Sequence, residues 1–266
     1  LSSDFPKYFE FFVSPQSGIF RDIYGTLSTL KSIPIPLEGL KDSELGSWCE
    51  LHEDLAEASR QYLESPLLSE GGPPQSLLDL EREANRRVED LLGLSKRERW
   101  LVHDLVHIRM SLTDGKLGDA AARRPNRKDL TGYAEMLRDE LDEFIGKAEG
   151  LAHRVTVFSG QHQGYVCVEM IRRGPESPIP VDIRKGDDPV SKEIDRLQAQ
   201  NANFTRQWIY FDRNLFVYDR DRTLIFKPQQ RLWWTRSQAM SDADEILSAA
   251  LTPESLVPEP QIVAHT

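Results

Sequence analysis

Cysteine is almost missing from this chain: Cys49 and Cys167 are the only two in 266 residues, far apart and outside any paired motif. That excludes a disulfide framework and a cysteine-based zinc module, and two buried thiols in a reducing cytoplasm are expected instead. No apolar run approaches the roughly 20 residues that a membrane-spanning helix needs. Leu1 to Phe12 lack a basic stretch followed by an apolar one, so they do not read as a secretory signal, and a cytoplasmic location is expected. The chain opens on Leu1 rather than Met, and an upstream part is expected. A G-x-x-x-x-G-K-[ST] loop and a G-x-S-x-G elbow are both absent, which excludes an ordinary phosphate-loop enzyme and a serine hydrolase of that kind.

An overall excess of positive charge is missing too. The formal net charge is −10, which argues against a uniformly basic nucleic-acid binder. Its distribution is uneven. Residues 1–150 hold 19 Lys and Arg against 28 Asp and Glu, whereas residues 151–266 hold 14 against 15. Within 204–236 the balance reverses to seven basic residues against three acidic ones. A local basic stripe binds phosphate even on a protein that repels it as a whole.

What is present is ordinary globular material, 39% apolar and 29% charged, long enough to bury a core. Phe5 to Val13 is aromatic-rich and reads as a helix. A turn-rich Ser14–Gly18 and an extended stretch to Pro34-Ile35-Pro36 then form a connector. Apolar residues recur at three- and four-residue spacing in Leu45, Trp48, Leu51, Leu55, Ala58 and Tyr62, and again in Leu77, Leu80, Ala84, Val88 and Leu91. Ser95-Lys96-Arg97-Glu98 has the S-x-x-E pattern of a capping box and opens a third helix to about Leu112. A fourth runs from about Asp129 to Ile145, with Leu130, Tyr133, Leu137, Leu141 and Phe144 inward. The period then shortens. Arg154–Phe158 and Tyr165–Glu169 predict a β-hairpin, and Trp208–Tyr218 with Arg222–Phe226 a second strand pair. Ser191 to Ala199 reads as a short helix and Ser237 to Leu251 as the last one.

The expected class is α+β: a helical, bundle-like N-terminal half followed by a small antiparallel, β-rich part. The expected divisions are a connector over 1–40, a helical domain over 41–150, an α+β domain over 151–252 and a flexible tail over 253–266.

Three places invite chemistry. His103 and His107 share a helix face at i and i+4, as in the zinc-peptidase pattern H-E-x-x-H. Here Asp104 replaces the general-base Glu and no third ligand follows at a family spacing, so two ordinary histidines are the preferred reading. Asp182-Ile183-Arg184-Lys185 sets an Asp near a Lys, but without the E-x-K of a nuclease and on no convincing strand. The most informative segment is Arg206 to Arg236, where Arg206, Arg213, Arg220, Arg222, Lys227, Arg231 and Arg236 interleave with Trp208, Trp233, Trp234 and other aromatics. Cationic groups release counterions from phosphates and aromatic faces stack on bases. On composition alone a hairpin with an aromatic core face and a solvated charged face is preferred. A second basic spot, Lys116 to Lys128, carries Arg123, Arg124 and Arg127 around Pro125 and could track a DNA backbone.

Three ordered stretches resemble the C-terminal region of adenine-specific N-6 DNA methyltransferases of restriction-modification systems. The first is Ser3-Asp4-Phe5-Pro6-Lys7-Tyr8 followed by Leu30-Lys31-Ser32-Ile33-Pro34-Ile35-Pro36-Leu37. The second is Ala84-Asn85-Arg86-Arg87-Val88-Glu89-Asp90-Leu91-Leu92-Gly93-Leu94-Ser95 with Glu98 to Asp104. The third is Tyr210 to Leu215, Phe226 to Arg231, and Trp234 to Ala239 closing in Asp242-Ala243-Asp244-Glu245. The resemblance implies a DNA-recognition and scaffold role, with double-stranded DNA and a catalytic methyltransferase domain or subunit as partners. S-adenosylmethionine would belong to that catalytic part and not to this chain.

The chain departs from the family where the chemistry is done. The sole Pro-Pro is Pro73-Pro74, between Gly72 and Gln75, so the [DNS]-P-P-[YFW] motif that holds a flipped adenine is missing, as is the F-x-G-x-G loop. No catalytic residue and no metal ligand are therefore assigned. The expected DNA contacts are Arg206, Arg213, Lys227, Arg231, Trp234 and Arg236, with Arg123, Arg124 and Arg127. The alternative is a protein-interaction module that docks a partner of a DNA-modification or defence complex through its acidic helical half.

Overall fold

A computed structural model describes residues 3–13, 31–34, 36, 40–64, 72–112, 119–146, 150–160, 163–172, 178–187, 190–192, 214–219 and 222–252. The chain divides into two compact units, Leu1–Gly118 and Asp119–Thr266. The boundary falls before the fourth predicted helix rather than after it.

The N-terminal unit is helical. α1 (Asp4–Val13), α2 (Asp42–Glu64), α3 (Gln75–Leu91) and α4 (Lys96–Asp104) follow the predicted stripes, and Leu51, Leu77 and Val102 are buried. α3 packs on α2, and α1 packs on α3 and α4. The capping box at α4 forms as read: Glu98 N–H donates to Ser95 Oγ (3.3 Å) and Ser95 N–H to Glu98 Oε2 (2.7 Å). These bonds satisfy donors that the first turn leaves open. α4 continues into a π-helical turn, Leu105–Arg109, and a 3-10 turn, Met110–Leu112.

In the C-terminal unit, α5 (Asp119–Ala122) and α6 (Arg127–Ile145) precede a five-stranded sheet, and α7 (Arg236–Leu251) closes the fold. The strands are β1 (Leu151–Ser159), β2 (Gln163–Arg172), β3 (Asp182–Lys185), β4 (Leu215–Asp219) and β5 (Arg222–Pro228), in the order β3-β1-β2-β5-β4. Both predicted hairpins form, with Val157 opposite Val166 and Val217 opposite Leu224. The sheet is mixed rather than wholly antiparallel, because β3 pairs parallel to β1 with Thr156 opposite Asp182. The Asp182–Lys185 segment is thus a strand after all, formed by that pairing and not by its own composition.

Side chains alternate across a strand. Val155, Val157, Val166, Val168 and Ile225 consequently fall on one face, and all are buried. α6 covers β1 with Leu130, Tyr133, Leu137 and Leu141, and α7 lies against α6 with Ala239 and Ala243 buried. This packing is why α6 belongs with the sheet. Phe144, expected inward, is 56% exposed, because the stripe outruns its partner surface near the helix end. The predicted helix over Ser191–Ala199 and the first part of the Trp208–Tyr218 strand lie largely outside the described residues. Among the described residues no helix is long and apolar enough to cross a membrane.

Candidate nucleic-acid interface

Two basic segments that are far apart in sequence meet in the C-terminal unit. Asn126 caps α6 by accepting the N–H of Asp129 (2.9 Å), and Asp129 Oδ2 accepts the N–H of Asn126 in return (2.9 Å). The same carboxylate holds two arginines: Arg123 donates Nη2–H to Oδ2 (2.8 Å), and Arg231, from the 3-10 turn Arg231–Trp233, donates Nε–H to Oδ1 (3.1 Å). The backbone joins in, with Arg231 N–H donating to the carbonyl of Arg123 at 2.8 Å.

Arg124 reaches the other way and donates to the carbonyl of Gly160, in the turn between β1 and β2 (2.5 Å). Gly160 in turn lies against Gly186, just past β3: a Cβ on Gly186 would stand 2.6 Å from its Cα, so that approach requires glycine. Lys185, opposite Ser159, is exposed at the same end of the sheet. Arg127 and Lys128, exposed in the first turn of α6, complete a rim of six cationic side chains: Arg123, Arg124, Arg127, Lys128, Lys185 and Arg231. Asp129 is the carboxylate within it and is saturated by the contacts above; Asp187 is exposed beside it. The partial positive charge of the α6 N-terminus adds to the same field.

Two of the expected DNA contacts belong elsewhere. Lys227 and Trp234 are 0% and 1% exposed, so neither reaches a phosphate or a base. Lys227 is inward because it stands two residues from Ile225 on β5 and so shares its face. Its ammonium forms a salt bridge with Asp242 of α7, donates to the carbonyl of Trp233 (3.0 Å), and lies 4.6 Å from the centre of the Tyr133 ring and 5.9 Å from that of Trp234. Asp242 also accepts from Tyr133 O–H (2.5 Å), Asn214 Nδ2–H (2.9 Å) and Gln238 Nε2–H (3.0 Å). Burial, reinforced by the charge of Asp242, holds the Tyr133 phenol well above its ordinary range. Trp234 donates its indole N–H to the carbonyl of Pro228 (2.8 Å). This buried knot fastens β5, α6 and α7 together. The turn that carries Arg231 begins three residues after β5.

Arg236 lies with its guanidinium over α6 at Gly132, where a Cβ would stand 2.5 Å from Nη2. Arg206 and Arg213 lie outside the described residues. Sequence reasoning gave Asp129 no part in an interface and read Lys185 only as the Lys near Asp182. The first was legible as the acidic end of the capping pattern Asn126-x-x-Asp129, whereas the second depends on the parallel pairing of β3.

His103 and His107 lie in the N-terminal unit with ring centres 4.9 Å apart. Among the described residues no group of three or more His, Cys, Asp or Glu side chains gathers as a metal site. The chain matches no family model, no curated protein and no solved structure.

Proposed function

We propose that this chain is the DNA-recognition and scaffold portion of an adenine-specific DNA methyltransferase of a restriction-modification system, and that duplex DNA lies along the basic rim of the C-terminal unit. The convergence of Arg123 and Arg231 on Asp129, with Arg124, Arg127, Lys128 and Lys185 beside them, is the observation that carries the reading. Guanidinium groups held by a carboxylate or a backbone carbonyl still have further N–H donors, which suit phosphate oxygens. Contacts of this kind position a duplex without reading its sequence. The methyl donor, S-adenosylmethionine, and the pocket for the extruded adenine belong to a separate catalytic domain or subunit of a cytoplasmic enzyme. This chain holds the DNA in place for it.

The test is binding of a labelled duplex across a salt series. Six phosphate contacts would give a slope of about −5.4 in log affinity against log salt, or roughly an 1,800-fold loss between 50 and 200 mM. Arg124→Ala, Arg127→Ala and Arg231→Ala should each flatten the slope by about one. No binding at low salt, alone or with the catalytic chain, would overturn the reading.

Burial of Lys227 and Trp234 favours a second reading, because it withdraws two members of the basic aromatic block from the surface. In that reading the chain is a protein-interaction module of a DNA-modification or defence complex. Partner capture that survives Arg124→Glu and Arg231→Glu, without DNA binding, would select it.

A further inference from the structure

The helix face that carries His103 and His107 sets two imidazoles beside two buried carboxylates, and no step of the DNA reading uses it. His107 donates Nε2–H to Asp4 Oδ2 at 2.6 Å. That carboxylate is itself held: Asn85 donates Nδ2–H to it at 3.0 Å and takes the Asp4 backbone N–H on Oδ1 at 2.7 Å. His103 donates Nδ1–H to Asp104 Oδ1 at 3.1 Å. Each ring therefore has one nitrogen committed to a buried carboxylate and the other, Nε2 of His103 and Nδ1 of His107, left with its lone pair. Histidines that bind metals are commonly oriented in this way, by a carboxylate on the far nitrogen.

The spacing fits as well. An ion bonded to two imidazole nitrogens at about 2.0–2.1 Å, with an angle of roughly 90–110° between them, sets the ring centres about 4.5–5.2 Å apart. The observed separation is 4.9 Å. The two side chains are 42% and 47% exposed, which leaves room for solvent in the remaining coordination positions. The surroundings favour a cation. Asp4 and Asp104 are 9% and 4% exposed, with Lys7 reaching Asp4 at 3.9 Å. Glu89, which pairs with Arg99, is held above its usual carboxylate range by burial, with the charge of Asp4 adding to the effect. His107 also lies in the π-helical turn, a distortion found mostly at functional sites.

We infer that His103 and His107 form a two-imidazole site for a borderline-soft divalent ion such as Zn²⁺ or Cu²⁺, with Asp104 and Asp4 as the carboxylates that orient the rings and water as the other ligands. Two protein ligands make a site that exchanges with solvent, unlike the closed four-ligand sites that fold small domains. Trp100, whose ring meets His103 edge-on at 5.4 Å, is a built-in reporter.

The experiment uses the tag-free full chain, Zn²⁺ in competition with a chromogenic chelator, and Cu²⁺ quenching of tryptophan fluorescence. One equivalent should bind, and Trp100→Phe should remove most of the quenching. His103→Ala and His107→Ala should each abolish the equivalent. Asp4→Asn should weaken it by about 10–100-fold, and Cys49→Ser, at the exposed thiol, should leave it unchanged. If a histidine variant fails to fold, Zn²⁺ protection of His103 and His107 from diethyl pyrocarbonate, mapped on the unaltered chain, provides the same test. The inference falls if no equivalent binds, if the His103→Ala/His107→Ala double variant binds as before, if Cys49→Ser abolishes binding, or if the two histidines stay unprotected.

Discussion

The buried pair of Lys227 and Asp242 allows a sharp stability test. Breaking one side of a buried ion pair costs about 3–5 kcal/mol, because the other charge is left without compensation. The two sides differ here. After Lys227→Met, the Asp242 carboxylate keeps three hydrogen bonds, from Tyr133, Asn214 and Gln238, which places the loss near the lower end at about 3 kcal/mol. Asp242→Leu strips an acceptor from those three groups and from the ammonium at once, which places it near 5 kcal/mol. The double variant carries no buried charge, so it should cost no more than Asp242→Leu alone. The coupling is then about 3 kcal/mol. Native-state hydrogen exchange of the α6 amides isolates the unit that contains the pair, and a 3 kcal/mol loss raises the opening constant about 160-fold. Additivity of the two single losses within about 0.5 kcal/mol would refute the reasoning.

Tyr133 predicts an alkaline effect. Burial and the charge of Asp242 raise its pKa, so the folded protein keeps the phenolic proton while the unfolded chain releases it near pH 10. Stability should therefore fall as pH rises above about 10, by roughly 1.4 kcal/mol per unit. Tyr133→Phe should cost about 1.5–3 kcal/mol at neutral pH yet flatten that decline. Denaturant unfolding between pH 7 and 11 checks both, and equal alkaline slopes for the two proteins would sink the argument. Gly132→Ala usually favours a helix interior by up to about 1 kcal/mol, but the new methyl group would meet the Arg236 guanidinium at 2.5 Å. The end of a flexible side chain swings aside, so stability should hold within about 1 kcal/mol. Urea midpoints measure the effect, and a larger stability loss would show that the guanidinium is locked in place.

The elements most legible in the sequence are those specified by local chemistry. The stripes of α2 and α3 follow the helical period, and Ser95 and Glu98 mark the start of α4 because both ends of the capping box lie within four residues. The two hairpins show in their β-branched runs. β3 did not show, since four residues with three charges become a strand only by pairing with β1. The destination of α6 was hidden for a related reason: an amphipathic stripe shows that a surface is covered, not which one. At the candidate interface, composition placed Arg231 and Lys227 in one class. Alternation along β5 separates them, because it puts Lys227 on the face of Ile225, and the knot around Asp242 completes its burial. That Arg123 and Arg231 share a carboxylate depends on contacts spanning about a hundred residues, beyond the reach of any local pattern.

The Tyr133–Asp242 bond spans 109 positions, and it fixes when the C-terminal unit can finish folding. The hairpin of β1 and β2 needs only a short turn and can form as soon as it is made, but α7 follows every strand of the sheet. A growing chain synthesised past β2 thus carries an amphipathic helix and a hairpin whose apolar faces await a lid made much later, the interval in which chaperones and proteases act on a nascent protein. A chain cut between β5 and Asp242 would remain in that interval for good. It would keep all five strands and still leave Lys227 without its carboxylate. Any shortened version of this protein intended to fold therefore has to run at least through α7.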